Sequence, residues 1–315
     1  MYVLNSGASR AFRLYTKSTL GNVHGCVDLT SFTRVIDLSC LHIWHHAFFH
    51  RLVDCVLPNF ELYELARTSD SKSTALVMPE AQRDFVNALL PPKHTISEQL
   101  LKNDVDDNRT CLLVTDTAVV TYETRTLGSL EAQQARAARF RAAINHAAAK
   151  GSPQKSRETL LFIDRRKIRE LDNAKEFRAY LAKELPQYRQ ETYYGNETLL
   201  QTVDMFSNAR IVVGFHGAGH ANTIFCQNKT VVVELSWYLD EKSDKLWRSN
   251  NKVASLHGRL QWIVYALRLS ESIPTWPEIN KKESVSELFQ NMKKVHLPIA
   301  DALNVVNLVK AALAS

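Results

Sequence analysis

Glycine is scarce in this chain of 315 residues, with 10 in all, and proline scarcer still at 9; a collagenous or Pro/Gly-rich disordered protein is excluded. The five cysteines, Cys26, Cys40, Cys55, Cys111 and Cys226, are odd in number, scattered, and never form a Cys-x-x-Cys pair. That pattern predicts neither a disulfide framework nor a zinc site. The sequence has no apolar run of the roughly 18 residues a membrane span needs, and Met1 is not followed by a basic region and a short apolar core of the signal-peptide kind. Several catalytic signatures are absent as well: no Gly-x-Ser-x-Gly elbow, no Walker lysine after a Gly-rich loop, and no His-Glu-x-x-His.

What is present is ordinary for a folded enzyme. Hydrophobic residues make up 45% and charged residues 23%, enough to bury a sizeable core. At about 150 residues per domain the length suggests two medium domains. Lys and Arg number 39 against 33 Asp and Glu, so the net charge is 39 − 33 = +6. This favours a phosphate-bearing or polyanionic ligand. Without a basic block or finger spacing, a mildly basic enzyme is preferred over a nucleic-acid binder.

Periodicity orders the chain. Residues 48–57 carry Phe49, Leu52, Val53, Val56 and Leu57 at helical intervals, with Pro58 ending or kinking the helix. Residues 75–78 and 111–120 read as buried strands, 81–90 and the Ala-rich 129–150 as helices, the latter as a solvated helix capping a first domain. Gly151-Ser152-Pro153 to Ser156 reads as an interdomain linker. Beyond it come strand 159–163, helix 174–184, strand 191–194, helix 198–207, strand 210–214, short helix 218–225 and strand 230–235. This alternation predicts parallel βαβ units. A further strand over 261–267 and helices over 285–292 and 299–313 complete the reading. It gives a first domain over 1–150, a second over 151–284, and C-terminal helices over 285–315 packing back on the first domain.

Four segments carry chemistry. In Val213-Gly214-Phe215-His216-Gly217-Ala218-Gly219-His220-Ala221-Asn222 a buried strand runs into glycines that open a helix. This is either a tight turn or a cradle whose backbone N–H groups receive a phosphate; three of the ten glycines within six residues favour the cradle. In Ile163-Asp164-Arg165-Arg166-Lys167-Ile168-Arg169 a strand empties into four cations, whose guanidinium forks match phosphate oxygens, unless Arg166 and Lys167 are simply an exposed loop. His50 and Asp54, four apart on the first helix, form either a surface ion pair or a proton-transfer pair in an apolar setting. Glu234 ends a hydrophobic strand, where a carboxylate either accepts from ribose hydroxyls or is merely solvated.

Together these segments resemble glycosyltransferase family 61. Phe48-Phe49-His50, Asp54 and Leu57-Pro58 match its first signature and Arg165 with Arg169 its second. Val213 to Gly219, Asn222, Phe225 and Glu234-Leu235 match its third. His220-Ala221 stand where Leu-Thr is usual, and Gln201-Thr202 where many members have Glu-Gln. The resemblance implies an α/β fold of two Rossmann-like domains facing across a cleft, the GT-B type, with the donor held by the second. It further implies an inverting transfer from a UDP-sugar to a hydroxyl of a glycan or glycoprotein. Arg165, Arg169, His216, Gly217, Ala218, Gly219 and Asn222 would then line the donor site, with Glu234 on the ribose and Asp54 as general base beside His50. UDP-sugar enters as substrate, and no metal or other cofactor is expected. The partners expected are a donor and an acceptor, with no nucleic acid and no membrane span. The compartment follows as the ER or Golgi lumen if an N-terminal anchor precedes this chain, and the cytoplasm otherwise. The competing class is a non-catalytic sugar- or nucleotide-binding module that keeps the cradle without turnover.

Overall fold

The computed structural model describes residues 3–4, 13–16, 27–28, 33–38, 48–69, 74–77, 82–90, 111–114, 118–120, 128–149, 158–166, 169–237, 249–267 and 294–315. The chain divides into two compact units, residues 1–147 and 148–315. The expected linker at 151–156 and helix at 285–292 lie outside the described residues. Both units are α/β, and the strand pairings are parallel throughout the described residues.

The first unit contains β1 (Val3–Leu4), β2 (Arg13–Thr16), β3 (Val27–Asp28), β4 (Arg34–Asp37) and a short α1 (Phe48–His50) that continues as a π-helical turn, Arg51–Val56. Then follow α2 (Phe60–Thr68), β5 (Thr74–Val77), α3 (Arg83–Leu89), β6 (Cys111–Val114), β7 (Ala118–Val120) and α4 (Leu130–Ala149). Its strands form two sheets, ordered β1-β7-β4-β5 and β2-β6-β3. The apolar stretch 111–120, expected as one strand, is therefore two strands in different sheets; the polar Thr115-Asp116-Thr117 falls between them. α4 buries Arg136, Ala137, Phe140 and Ile144 along one stripe. Phe140 meets Phe60 edge-on at 5.5 Å between ring centroids and Phe85 at 6.3 Å. On the rim of that contact Arg136 Nε pairs with Glu61 at 3.1 Å and Arg139 Nε with Glu64 at 3.3 Å. Cys55 is disulfide-bonded, a cross-link that odd, scattered cysteines did not suggest.

The second unit runs β8 (Thr159–Ile163), β9 (Glu170–Leu171), α5 (Ala174–Glu184), β10 (Arg189–Tyr193), α6 (Leu199–Asn208) and β11 (Ala209–Phe215). A 3-10 helix (Ala218–Phe225), β12 (Val231–Trp237), α7 (Ser249–His257), β13 (Gln261–Leu267), β14 (Lys294–Val295) and α8 (Ile299–Ala314) complete it. The main sheet is ordered β10-β8-β11-β12-β13. Side chains alternate across it. Leu160, Phe162, Ile211, Val213, Val231, Val233 and Leu235 pack on Phe177 and Leu181 of α5 and on Ala302, Val305, Val306 and Val309 of α8. α6, the 3-10 helix and α7 pack together apart from that core, and Val203, Phe206, Ile224, Phe225 and Val253 from them are buried.

α8 packs on the main sheet of the second unit. Besides the four buried residues, Tyr265 Oη donates to Asp301 Oδ1 at 2.5 Å and Lys310 Nζ pairs with Glu184 at 2.9 Å. β14, just before it, pairs with β9. The apolar period of 299–313 correctly predicts a buried stripe, but one stripe fits any exposed apolar sheet face, so periodicity does not say which sheet it covers.

Removing the Phe140 ring leaves a cavity beside the Phe60 and Phe85 rings. Phe140→Ala is expected to lower unfolding free energy by about 3–5 kcal/mol, measured by urea denaturation followed by tryptophan fluorescence and circular dichroism.

Candidate functional site

The strand order creates a crevice. After β8 the chain moves to β10 on one side, and after β11 it moves to β12 on the other. Between the carboxyl ends of β8 and β11 the connections diverge, and α/β ligands bind at such a switch point. The residues following those two strands are Asp164-Arg165-Arg166 and His216-Gly217-Ala218, so the cationic and glycine-rich segments meet here through topology.

Arg165 bridges the crevice: its Nη1 donates to the His216 carbonyl at 3.0 Å. A Cβ at Gly217 would lie 1.3 Å from that same Nη1, so only glycine lets the guanidinium approach. Arg169 sits in the left-handed region at φ 54°, uncommon for a residue with a side chain, and its buried Nε has no hydrogen-bond partner. Burial pushes the Arg165 guanidinium down to about 10, and the neighbouring Arg169 cation adds to this. Burial lowers Arg169 in the same direction. Guanidinium does not deprotonate at working pH; the depression expresses two desolvated like charges that an anion would stabilise. Arg166, by contrast, is exposed and its Cζ lies 4.2 Å over the Tyr194 ring.

A second cluster follows from register. Tyr193, Ile163, Gly214, Glu234 and Val264 are successive Cα partners across the sheet, so their side chains share one face. A Cβ at Gly214 would meet Ile163 Cβ at 2.6 Å, so Ile163 occupies the space a side chain there would need. In the same row Glu234, only 2% exposed, is held from both sides. One carboxylate oxygen bonds His216 Nδ1, and the other accepts from Trp262 Nε1 at 3.2 Å. His216 lies two residues beyond Gly214 and Trp262 two before Val264, the diagonal neighbours that long side chains reach.

The 3-10 helix crosses this face. Gly219 is close to Ile163 and Tyr193; a Cβ there would sit 2.9 Å from Ile163 Cγ2. Asn222 Nδ2 donates to Tyr193 Oη at 3.0 Å, which makes Asn222 an anchor of the segment, and Ala218 at its start is exposed. His220 is fully buried, 5.9 Å from the Trp262 ring between centroids. Neither of its ring nitrogens makes a hydrogen bond of good geometry. Burial pushes its imidazole down to about 4; Glu234 opposes this, and His216 and Arg165 add to it. Gln201 has a local role: with Thr198 it forms a capping box at the start of α6.

The remaining candidates belong to the first unit. Asp54 is half-buried on the π-turn, among the buried Leu52, Val53, Cys55 and Val56. The Leu57 N–H bonds the Leu52 carbonyl five residues back at 3.0 Å. π-turns recur at functional sites, and nothing in the apolar period distinguishes one from an α-helix. The His50 side chain lies outside those described. Trp262 was missed by sequence reading, although its strand was found, because its partner Glu234 is 28 residues away.

Two guanidinium groups thus stand at a switch point of a parallel sheet, with a glycine turn opposite. The Glycosyltransferase 61 family model matches residues 44–233, well over half of the chain. The chain belongs to that family, and its activity is that of a glycosyltransferase acting between a sugar donor and an acceptor. No curated protein matches the chain. Among the described residues no helix is long and apolar enough to cross a membrane.

The two central glycines should separate by phenotype. Gly214→Ala forces a clash beside the backbone of Ile163 and is expected to destabilise by about 1–3 kcal/mol. Gly217→Ala meets only the movable end of Arg165, so thermal denaturation should find it near wild type while anion affinity falls. His220 supplies a pH dependence. Its folded value, about 4, is below the ordinary 6.5, so between those values the unfolded chain binds more protons. Stability should therefore fall as pH drops from about 6.5 to about 4, by an amount on the order of 3 kcal/mol. Melting temperatures across that range should show the slope in wild type and a flatter one in His220→Leu.

Proposed function

We propose that this glycosyltransferase is inverting and uses a UDP-sugar, transferring the sugar to a hydroxyl of a glycan or glycoprotein. The observation that carries the donor assignment is the desolvated Arg165–Arg169 pair opposite Gly217, an arrangement suited to a diphosphate. The reading includes the family's two Rossmann-like domains of the GT-B type, with the acceptor side in the first.

In a single displacement the acceptor oxygen bonds the anomeric carbon as the bond to the diphosphate oxygen breaks. Asp54 takes the acceptor proton, with His50 assisting, and UDP leaves as an anion. Its half-buried position among apolar residues suits a base removed from bulk water. Arg165, Arg169 and the N–H groups opening the 3-10 helix balance the charge on the leaving diphosphate, so the proposed reaction needs no divalent metal.

UDP should bind in the presence of EDTA. Arg165→Ala and Arg169→Ala should each weaken it about 10- to 100-fold, the scale of a lost charge-assisted hydrogen bond, by titration calorimetry. Asp54→Asn should keep UDP affinity and lower kcat by about 10² to 10⁴. Unchanged UDP affinity in both arginine variants would overturn the donor site, and retained turnover in Asp54→Asn would overturn the base.

A further inference from the structure

Resting on that donor reading, we infer that Glu234 and Trp262 are positioning residues for His216: they fix the ring through Nδ1, so that contact with the donor falls to Nε2. The argument begins with burial. A carboxylate that is 2% exposed is strongly destabilised unless its oxygens are satisfied, and here each has a protein partner, His216 Nδ1 on one and Trp262 Nε1 on the other. An indole N–H can only donate. An ionised carboxylate can only accept, so its bond to the imidazole needs the proton on Nδ1, which sets the Nδ1–H tautomer.

The sheet makes the alignment rigid. Glu234 stands between the two diagonal positions that His216 and Trp262 occupy on neighbouring strands, and the Ile163 side chain packs against Gly214 in the same row. His220 packs against the indole. Arg165 meanwhile holds the His216 carbonyl, so the residue is tied at backbone and ring, next to the proposed diphosphate site. Trp262 lies beyond the stretch matched by the family model, and its part in the site comes from the register of β13 alone. A carboxylate that orients an imidazole through its other nitrogen is a general device for fixing a ligating or proton-handling histidine.

Two measurements test this, one without ligand. In protein labelled at histidine nitrogen, the resonance lost in His216→Ala identifies the ring. Wild type should show a protonated Nδ1 with a downfield proton; Trp262→Phe should shift that proton, and Glu234→Gln should abolish or move it strongly. An unmoved resonance in both variants overturns the inference. With UDP, Glu234→Gln should weaken binding about tenfold in wild type but less than about twofold in His216→Ala, because residues acting through one another are non-additive. The ratio of UDP to 2′-deoxy-UDP affinity should not change. Full cost in the His216→Ala background together with a lost ratio would make Glu234 a direct ribose ligand and overturn the positioning role. Should wild type bind no UDP, the donor reading fails, and the resonance shift decides the positioning role by itself. Circular dichroism of Trp262→Phe, which keeps an aromatic ring, separates these effects from misfolding.

Discussion

Arg165 and Arg169 are both desolvated by burial, and the Arg169 cation adds to the cost at Arg165. Such an arrangement persists only because surrounding structure over-determines it. Arg165 is clamped by a backbone carbonyl across the crevice, and Arg169 is held by a left-handed backbone. Under the proposed donor reading the diphosphate would offset the desolvation of both guanidinium groups. The divergence of the chain between β8 and β11 is what makes the geometry possible, because it leaves no connection over the strand ends.

The glycines beside this pair differ in what they permit. Gly217 admits a guanidinium, Gly214 makes room for the Ile163 side chain, and Gly219 lets the 3-10 helix lie against Ile163. Removing side chains at these three points allows one strand end, one helix start and one cation to share a volume that ordinary residues would fill. The polar cluster of His216, Glu234 and Trp262 then occupies the same face as a satisfied network, while the neutral His220 closes it from the helix side. Burial of this cluster couples the site to pH through His220, whose imidazole burial pushes down to about 4.

The family model spans parts of both units, from residue 44 in the first to residue 233 in the second. Asp54, proposed as the base, lies in the first unit, and Arg165 and Arg169, proposed to hold the diphosphate, lie in the second. The π-turn under Asp54 and the crossover beside Arg165 are both local departures from regular structure, and both carry charged side chains into apolar surroundings.

Much of the second unit was legible from sequence. Strands 159–163 and 261–267, helix 174–184 and the short helix 218–225 stand where apolar period and turn residues put them, because each is specified by neighbours within a few positions. Arg165, Arg169 and the Gly214–Gly219 turn were legible for the same reason, as dense local departures in a chain poor in glycine. The division of residues 111–120 between two sheets, the disulfide at Cys55, the pairing of β14 with β9 and the docking of α8 on the second unit were not. Nor was the tie from Glu234 to Trp262. These depend on which strands lie side by side and in what register, and partners more than a hundred residues apart, such as Lys294 and Glu170, leave no periodic trace in either segment. Local chemistry was thus readable in the amino-acid order, whereas the choice of neighbour was made by the packing of the whole unit.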